Sequence, residues 1–132
     1  VNLEIKRISN PNIIYIGVKS LQEMDLVLEK TKILVVPSVA DVFPRIILEA
    51  ISQNCGVVLS KNCQVAHDFY SAGAVRLCTP GSDSIVREVE NLLTNPAILE
   101  EQIRLSKKYV EQEYDMSKWK EILIKENKKK NR

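Results

Sequence analysis

The sequence predicts an α/β protein: one parallel sheet of about four strands, helices on both faces, and a last third that is helical throughout. Three observations predict it. Short β-branched runs recur at Asn12–Ile16, Lys32–Val36, Val57–Leu59 and Ala74–Cys78. Between them lie longer segments with apolar residues at helical spacing, the alternation expected of a sheet covered on both sides. After Thr79-Pro80-Gly81 only helical spacing remains.

Asn12-Ile13-Ile14-Tyr15-Ile16 closes at Gly17 and reads as the first strand. Ser20-Leu21-Gln22-Glu23 has the form of a capping box, in which hydroxyl and carboxylate satisfy each other's end of the helix. Leu21, Met24 and Leu28 follow on one face of that helix. The second strand runs to Val36. A helix from Pro44 to Gln53 is expected to present Ile46, Ile47, Ala50 and Ile51 to the core. Asn54 suits the left-handed conformation of a helix end. Val57-Val58-Leu59 makes the third strand, Gln64 to Ser71 a short helix, and Ala74 to Cys78 the fourth strand. Ser82 or Asp83 is expected to cap a helix whose stripe is Ile85, Val86, Val89, Leu92 and Leu93. Asn95-Pro96 ends that helix and starts another, since proline suits a first helical position. Leu99, Ile103 and Val110 line its inner face. Asp115 is expected to cap a last helix bearing Trp119, Ile122 and Leu123, with Trp119 and Tyr109 as packing residues. Val1 to Ser9 fits either a helix tail or a strand.

The chain has 132 residues, 45% hydrophobic and 27% charged, enough for one domain with a buried core. Aromatics are 5%, so that core must be built from Ile, Leu and Val. No apolar stretch has the length of a membrane span, and Val1-Asn2-Leu3-Glu4 does not read as a signal peptide. Cys55, Cys63 and Cys78 lack Cys-x-x-Cys spacing, which speaks against a metal centre and for idle thiols in a reducing cytoplasm. Charge is uneven. Residues 118–132 hold seven Lys/Arg and two Glu, while the rest is net acidic. That end fits a solvated helix terminus or a weak contact with an anionic membrane surface. It has no aromatic or glycine pattern for nucleic acid.

The candidate chemistry lies after the second strand. Asp41 and Glu49 stand eight positions apart in a run that passes from strand through loop to helix. In an open parallel sheet, ligands bind beyond the carboxyl ends of the strands. Two carboxylates there accept hydrogen bonds from hydroxyl groups, as a sugar or ribose requires. Phe43 precedes a proline and is pushed out of helical geometry. The helix is therefore expected to begin at Pro44 with Phe43 as its cap, turning the amides of Arg45 and Ile46 toward the Asp41 loop. Such an amino end attracts phosphate, and Arg45 adds a full charge. Spacing alone also fits a plainer reading, with Asp41 favouring the helix start and Arg45–Glu49 forming a surface pair worth about 0.3–0.5 kcal/mol. Ser38 ends the second strand, and Lys61 follows the third on the same sheet edge as a further phosphate contact. His67, the sole histidine, reads as structural. There is no Ser-His-Asp set, P-loop or dinucleotide fingerprint.

From Asn12 to about Trp119 the chain resembles the nucleotide-sugar-binding half of GT-B glycosyltransferases, specifically the retaining group called family 4. The similarity rests on an ordered set of landmarks. They are Ile14-Tyr15-Ile16-Gly17, Ile33-Leu34-Val35-Val36-Pro37-Ser38, Asp41 to Glu49-Ala50, Val57-Val58-Leu59-Ser60, then Asp68, Gly73, Leu77 and Pro80-Gly81. The chain departs from the family pattern at several places. Asp41 stands where Glu is usual, Pro44 where glycine is usual, Asn54-Cys55-Gly56 for Gly-x-Pro, and Gln64-Val65 for a glycine pair.

The resemblance implies a Rossmann-like sheet, with 1–132 as a single nucleotide-sugar-binding domain ending in the basic helix end 118–132. It implies transfer of a sugar from a UDP- or GDP-sugar, with retention, to a glycan, lipid or polysaccharide precursor, as in cell-surface polysaccharide synthesis. Asp41 would meet the donor sugar, Glu49 the ribose, and amides near Phe43, Arg45 and Ile46 the diphosphate, with no metal or other cofactor. It also implies a truncated donor half. The amino-terminal acceptor-binding domain and an earlier segment with a basic diphosphate-binding residue would be missing, so the isolated chain is not expected to turn over. Two other classes remain open: a catalytically degenerate nucleotide-binding module, and an unrelated domain of this fold that mediates protein contacts.

Overall fold

The computed structural model describes residues 10–38, 45–114 and 124–125. Its elements run in the order α1 (Leu21–Glu29), β1 (Ile33–Val36), α2 (Ile46–Ser52), β2 (Gly56–Ser60), α3 (Ala66–Ser71), β3 (Arg76–Cys78), α4 (Ser82–Thr94) and α5 (Pro96–Glu113). The architecture is α/β and Rossmann-like: a parallel sheet in the order β1-β2-β3, flanked by helices. Ile33 pairs with Gly56 and Val36 with Leu59, while Val58 pairs with Arg76 and Ser60 with Cys78.

Side chains alternate across the sheet and divide the core into two layers. Val57 and Leu59 join Val36, Ile47, Ala50, Ile51, Phe69 and Leu28 on the face covered by α1, α2 and α3. Val58 joins Cys78, Leu92 and Leu99 on the face covered by α4 and the first half of α5. Every residue of β2 is buried, as expected of a central strand with helices on both sides. Phe69, Tyr109 and Tyr114 form a compact aromatic group, with Phe69 and Tyr109 edge to face at 4.9 Å, so Tyr109 is indeed a packing residue.

Local expectations hold at several points. Ser20 accepts the Glu23 amide and Glu23 accepts the Ser20 amide, completing the capping box. Asn54 has φ +63° and turns the chain from α2 into β2. A Cβ on Gly56 would lie 2.5 Å from Leu99 Cδ1 and 3.1 Å from Gln102 Oε1, so glycine lets the α5 side chains pack directly on the start of β2, and any side chain there would make Leu99 shift.

Other expectations are corrected. Among the described residues the sheet has three strands, because Asn12–Ile16 forms no ladder. Ile14 is 79% and Val18 100% exposed. β-Branched composition makes a strand only where a neighbouring strand accepts its backbone. The helix expected from Pro44 is α2, which starts at Ile46 with Arg45 in the cap position. The α4 cap is Gly81 rather than Ser82 or Asp83, and no side chain caps that helix. Within the α4 stripe, Leu92 is buried but Val86 and Leu93 are half-exposed, because a three-residue β3 offers little sheet beneath them. The last helix expected after Asp115, with Trp119, Ile122 and Leu123, lies outside the described residues, as does Val1 to Ser9. Among the described residues no helix is long and apolar enough to cross a membrane.

Candidate functional site

Parallel pairing brings the carboxyl ends of β1, β2 and β3 to one edge. Val36 and Leu59 are register partners, so Ser38 and Lys61, each two residues further on, occupy corresponding positions at that edge. Neighbouring strands are about 4.8 Å apart, which brings these two positions within reach of one small ligand. Ser38 is half-buried and Lys61 exposed. Lys61 remains tied to the sheet, since its amide donates to the Cys78 carbonyl at 2.9 Å.

The connection from β1 leads into α2, where Arg45 and Glu49 lie one turn apart on the same side. Arg45 is exposed and Glu49 half-buried. The Glu49 main chain stays in the helix end, its carbonyl accepting the Ser52 hydroxyl at 2.7 Å and the Gln53 amide at 3.2 Å. Ile46 packs its side chain on the core, so its contribution to a ligand is confined to its backbone amide. At the helix start the Leu48 amide donates to the Arg45 carbonyl at 3.1 Å, and the Ile46 and Ile47 amides precede that bond. Asp41 and Phe43 lie outside the described residues. Ser38 and Lys61 thus follow the ends of β1 and β2, while Arg45, Ile46 and Glu49 belong to the start and first turn of the helix that follows β1.

Two further polar groups follow the carboxyl end of β2: Asn62, which the sequence reading passes over, and His67, which it takes as structural. Asn62 sits on the connection from β2 and His67 in the first turn of α3, and both are exposed. His67 is therefore not a core histidine. The signal was its place just past a strand's carboxyl end, outweighed by its apolar neighbours. Gln64 is exposed, whereas Val65 is half-buried, packs on the core and occupies the α3 cap position. The side chains that replace a glycine pair thus fill space at this corner.

The cysteines take no part. Cys55, Cys63 and Cys78 are buried thiols. The Cys55 thiol lies 3.3 Å from the Leu28 carbonyl and 3.2 Å from that of Thr31, tying the end of α1 to the start of β2. Burial pushes the Cys55 and Cys78 thiols above the ordinary range, Glu88 adding to it at Cys78. Neither is an activated nucleophile. Among the described residues no three His, Cys, Asp or Glu side chains gather as metal ligands.

Comparison with curated proteins gives no match. A family model described as glycosyl transferases group 1 matches residues 3–112.

Proposed function

The chain belongs to the glycosyl transferases group 1, and from that premise we propose that it is the donor-binding half of a retaining family 4 enzyme of GT-B fold. It holds a UDP- or GDP-sugar for transfer to a glycan, lipid or polysaccharide precursor presented by an acceptor-binding half. One observation carries this reading: the parallel register sets Ser38 and Lys61 level at the carboxyl edge, where α2 brings Arg45 and Glu49. A nucleotide-sugar needs cations and amides for its diphosphate and a carboxylate for its ribose hydroxyls. Both kinds of group occur there.

In this reading Glu49 accepts from the ribose hydroxyls. Arg45, Lys61 and the amides near Phe43, Arg45 and Ile46 neutralise the diphosphate, which develops charge as the sugar leaves. Asp41 contacts the donor sugar, and Ser38 contributes a hydroxyl beside the diphosphate. These basic groups and amides take the part a metal ion plays elsewhere. The reaction belongs to the cytoplasmic side, and the basic end 118–132 offers a contact with an anionic membrane surface. Residue spacing alone does not set these roles. The family relationship and the shared edge together support them.

Calorimetric titration with UDP and GDP tests the reading. One of the two is expected to bind, and Glu49→Ala to weaken it about 10- to 100-fold, the loss of a charged hydrogen bond of about 1.5–3 kcal/mol. Absence of binding by either nucleotide, or an unchanged affinity in Glu49→Ala, rejects it. A degenerate module that binds without catalysis has its own supporting observation, the half-buried Val65 at a glycine-pair position. A sugar-transfer assay with the chain joined to an acceptor-binding half separates the two.

A further inference from the structure

Ser60 ends β2 and is wholly buried. A buried hydroxyl left without a partner costs about 1–3 kcal/mol, so its partner is informative. That partner is the next corner of the chain: Ser60 Oγ accepts the Asn62 amide at 3.2 Å. The Ser60 carbonyl accepts the Cys63 amide at 3.1 Å, and the Lys61 amide donates to Cys78 at 2.9 Å. Three consecutive amides, Lys61 to Cys63, are thereby held. The exposed Lys61 side chain leaves from this held corner, whereas the Ser60 side chain is buried beneath it.

We propose that Ser60 is a positioning residue for the nucleotide diphosphate: its buried hydroxyl fixes the Lys61–Asn62 corner and so the direction in which the Lys61 ammonium leaves the sheet edge. This rests on the reading of Lys61 as a diphosphate contact. Ser60 itself, being buried, touches no ligand. Lysine carries a point charge on a flexible four-carbon stem, so its value to a ligand depends on where its backbone is pinned. Without the Ser60 oxygen the Asn62 amide turns to water, and the corner gains freedom that binding must then remove.

The test is a double-mutant cycle on the full chain, read as UDP and GDP affinity at low ionic strength, with thermal unfolding measured beside it. Ser60→Ala and Lys61→Ala are each expected to weaken binding about three- to tenfold, and the double variant no further than Lys61→Ala alone. Ser60→Thr keeps the acceptor oxygen and is expected to bind as the native chain does. Should Ser60→Ala not fold, Ser60→Cys, close in size but a poor acceptor, is expected to show the same coupled loss. A purely structural Ser60 would lower the unfolding temperature with penalties that multiply in the double variant, and that result overturns the proposal. So does unchanged affinity in Ser60→Ala or in Lys61→Ala. Native protein that binds neither nucleotide overturns this inference together with the proposed function, whereas native binding without coupling overturns this inference alone.

Discussion

Ile13-Ile14-Tyr15-Ile16 and Ile33-Leu34-Val35-Val36 are close to interchangeable as strings of residues, yet they meet opposite fates. The second is β1, paired with β2 at all four positions and half-buried to buried. The first forms no ladder among the described residues, and its four side chains are between 42% and 79% exposed. Propensity is the same in both runs, so it does not decide between them. A strand gains its stability from cross-strand neighbours and from a helix layer on its face, and among the described residues only the second run has both. The site inherits this difference, because Ser38 and Lys61 are level only through the β1–β2 register.

The comparison breaks most visibly in the paired region. Leu59 is fully buried in the α2–α3 layer, opposite Val36. Leu59→Ala is expected to cost about 2–5 kcal/mol, the usual range for a leucine cavity in a tight core. Urea denaturation measures it. A loss below about 1 kcal/mol would mean that the sheet is not packed as described.

Second in size is a side chain that stands in for a strand. β3 begins opposite Val58, so Val57, one position earlier, has no strand partner on that side. Gln102, buried on α5, supplies the missing pairing: its Oε1 accepts the Val57 amide at 2.8 Å, and its Nε2 lies 3.5 Å from the Val57 carbonyl. Gln102→Leu is expected to cost about 1–3 kcal/mol, since it leaves a buried amide unsatisfied while keeping most of the volume. A neutral result in the same denaturation experiment would show that burial alone, without backbone pairing, separates the two runs.

These two positions mark what was legible in the sequence. Leu59 lies in a short apolar run bounded by Gly56 and Ser60, and its strand could be read locally. So could the inward face of α2 at Ile47, Ala50 and Ile51, the left-handed Asn54 and the Asn95-Pro96 junction, each governed by neighbours within a few residues. Gln102 acts across 45 residues of chain, and no local pattern announces that. The outcome at Asn12–Ile16, which forms no ladder among the described residues, has the same cause, because pairing depends on a distant strand that leaves no mark on the run itself. At the site, the rule that ligands gather past strand ends pointed to Ser38 and Lys61, whose places follow from the β1–β2 register. It could not tell that His67 is exposed, since that depends on how α3 rolls onto the sheet.

The third expected effect lies between the two runs, at the start of α1. Ser20→Ala removes the acceptor for the Glu23 amide and is expected to cost about 1 kcal/mol, read as a lower Tm. The Ser20 backbone amide, then its hydroxyl, then Lys19, hold the Glu23 carboxyl below its ordinary range. A folded-state value below the unfolded one means stability that is present above the unfolded value, about 4.3, and lost as pH falls through the folded value. The Tm gap between the native chain and Glu23→Ala should therefore be open at neutral pH and narrow on acidification below about pH 4. A gap that widens with acid would contradict the capping geometry.

The smallest effect should come from the exposed run, and it is the most discriminating. Ile14→Ser replaces a side chain that is 79% exposed. Were the run a buried strand like β1, the change would remove several methylene groups from a core and cost about 2–5 kcal/mol, as at Leu59. Because water already surrounds most of that side chain, the expected change is within about 0.5 kcal/mol. Measured side by side by urea denaturation, Leu59→Ala and Ile14→Ser should thus differ severalfold although both truncate a branched aliphatic residue. Equal losses would mean that the first run is packed in solution as tightly as the sheet, and the contrast between the two runs would then have to be given up.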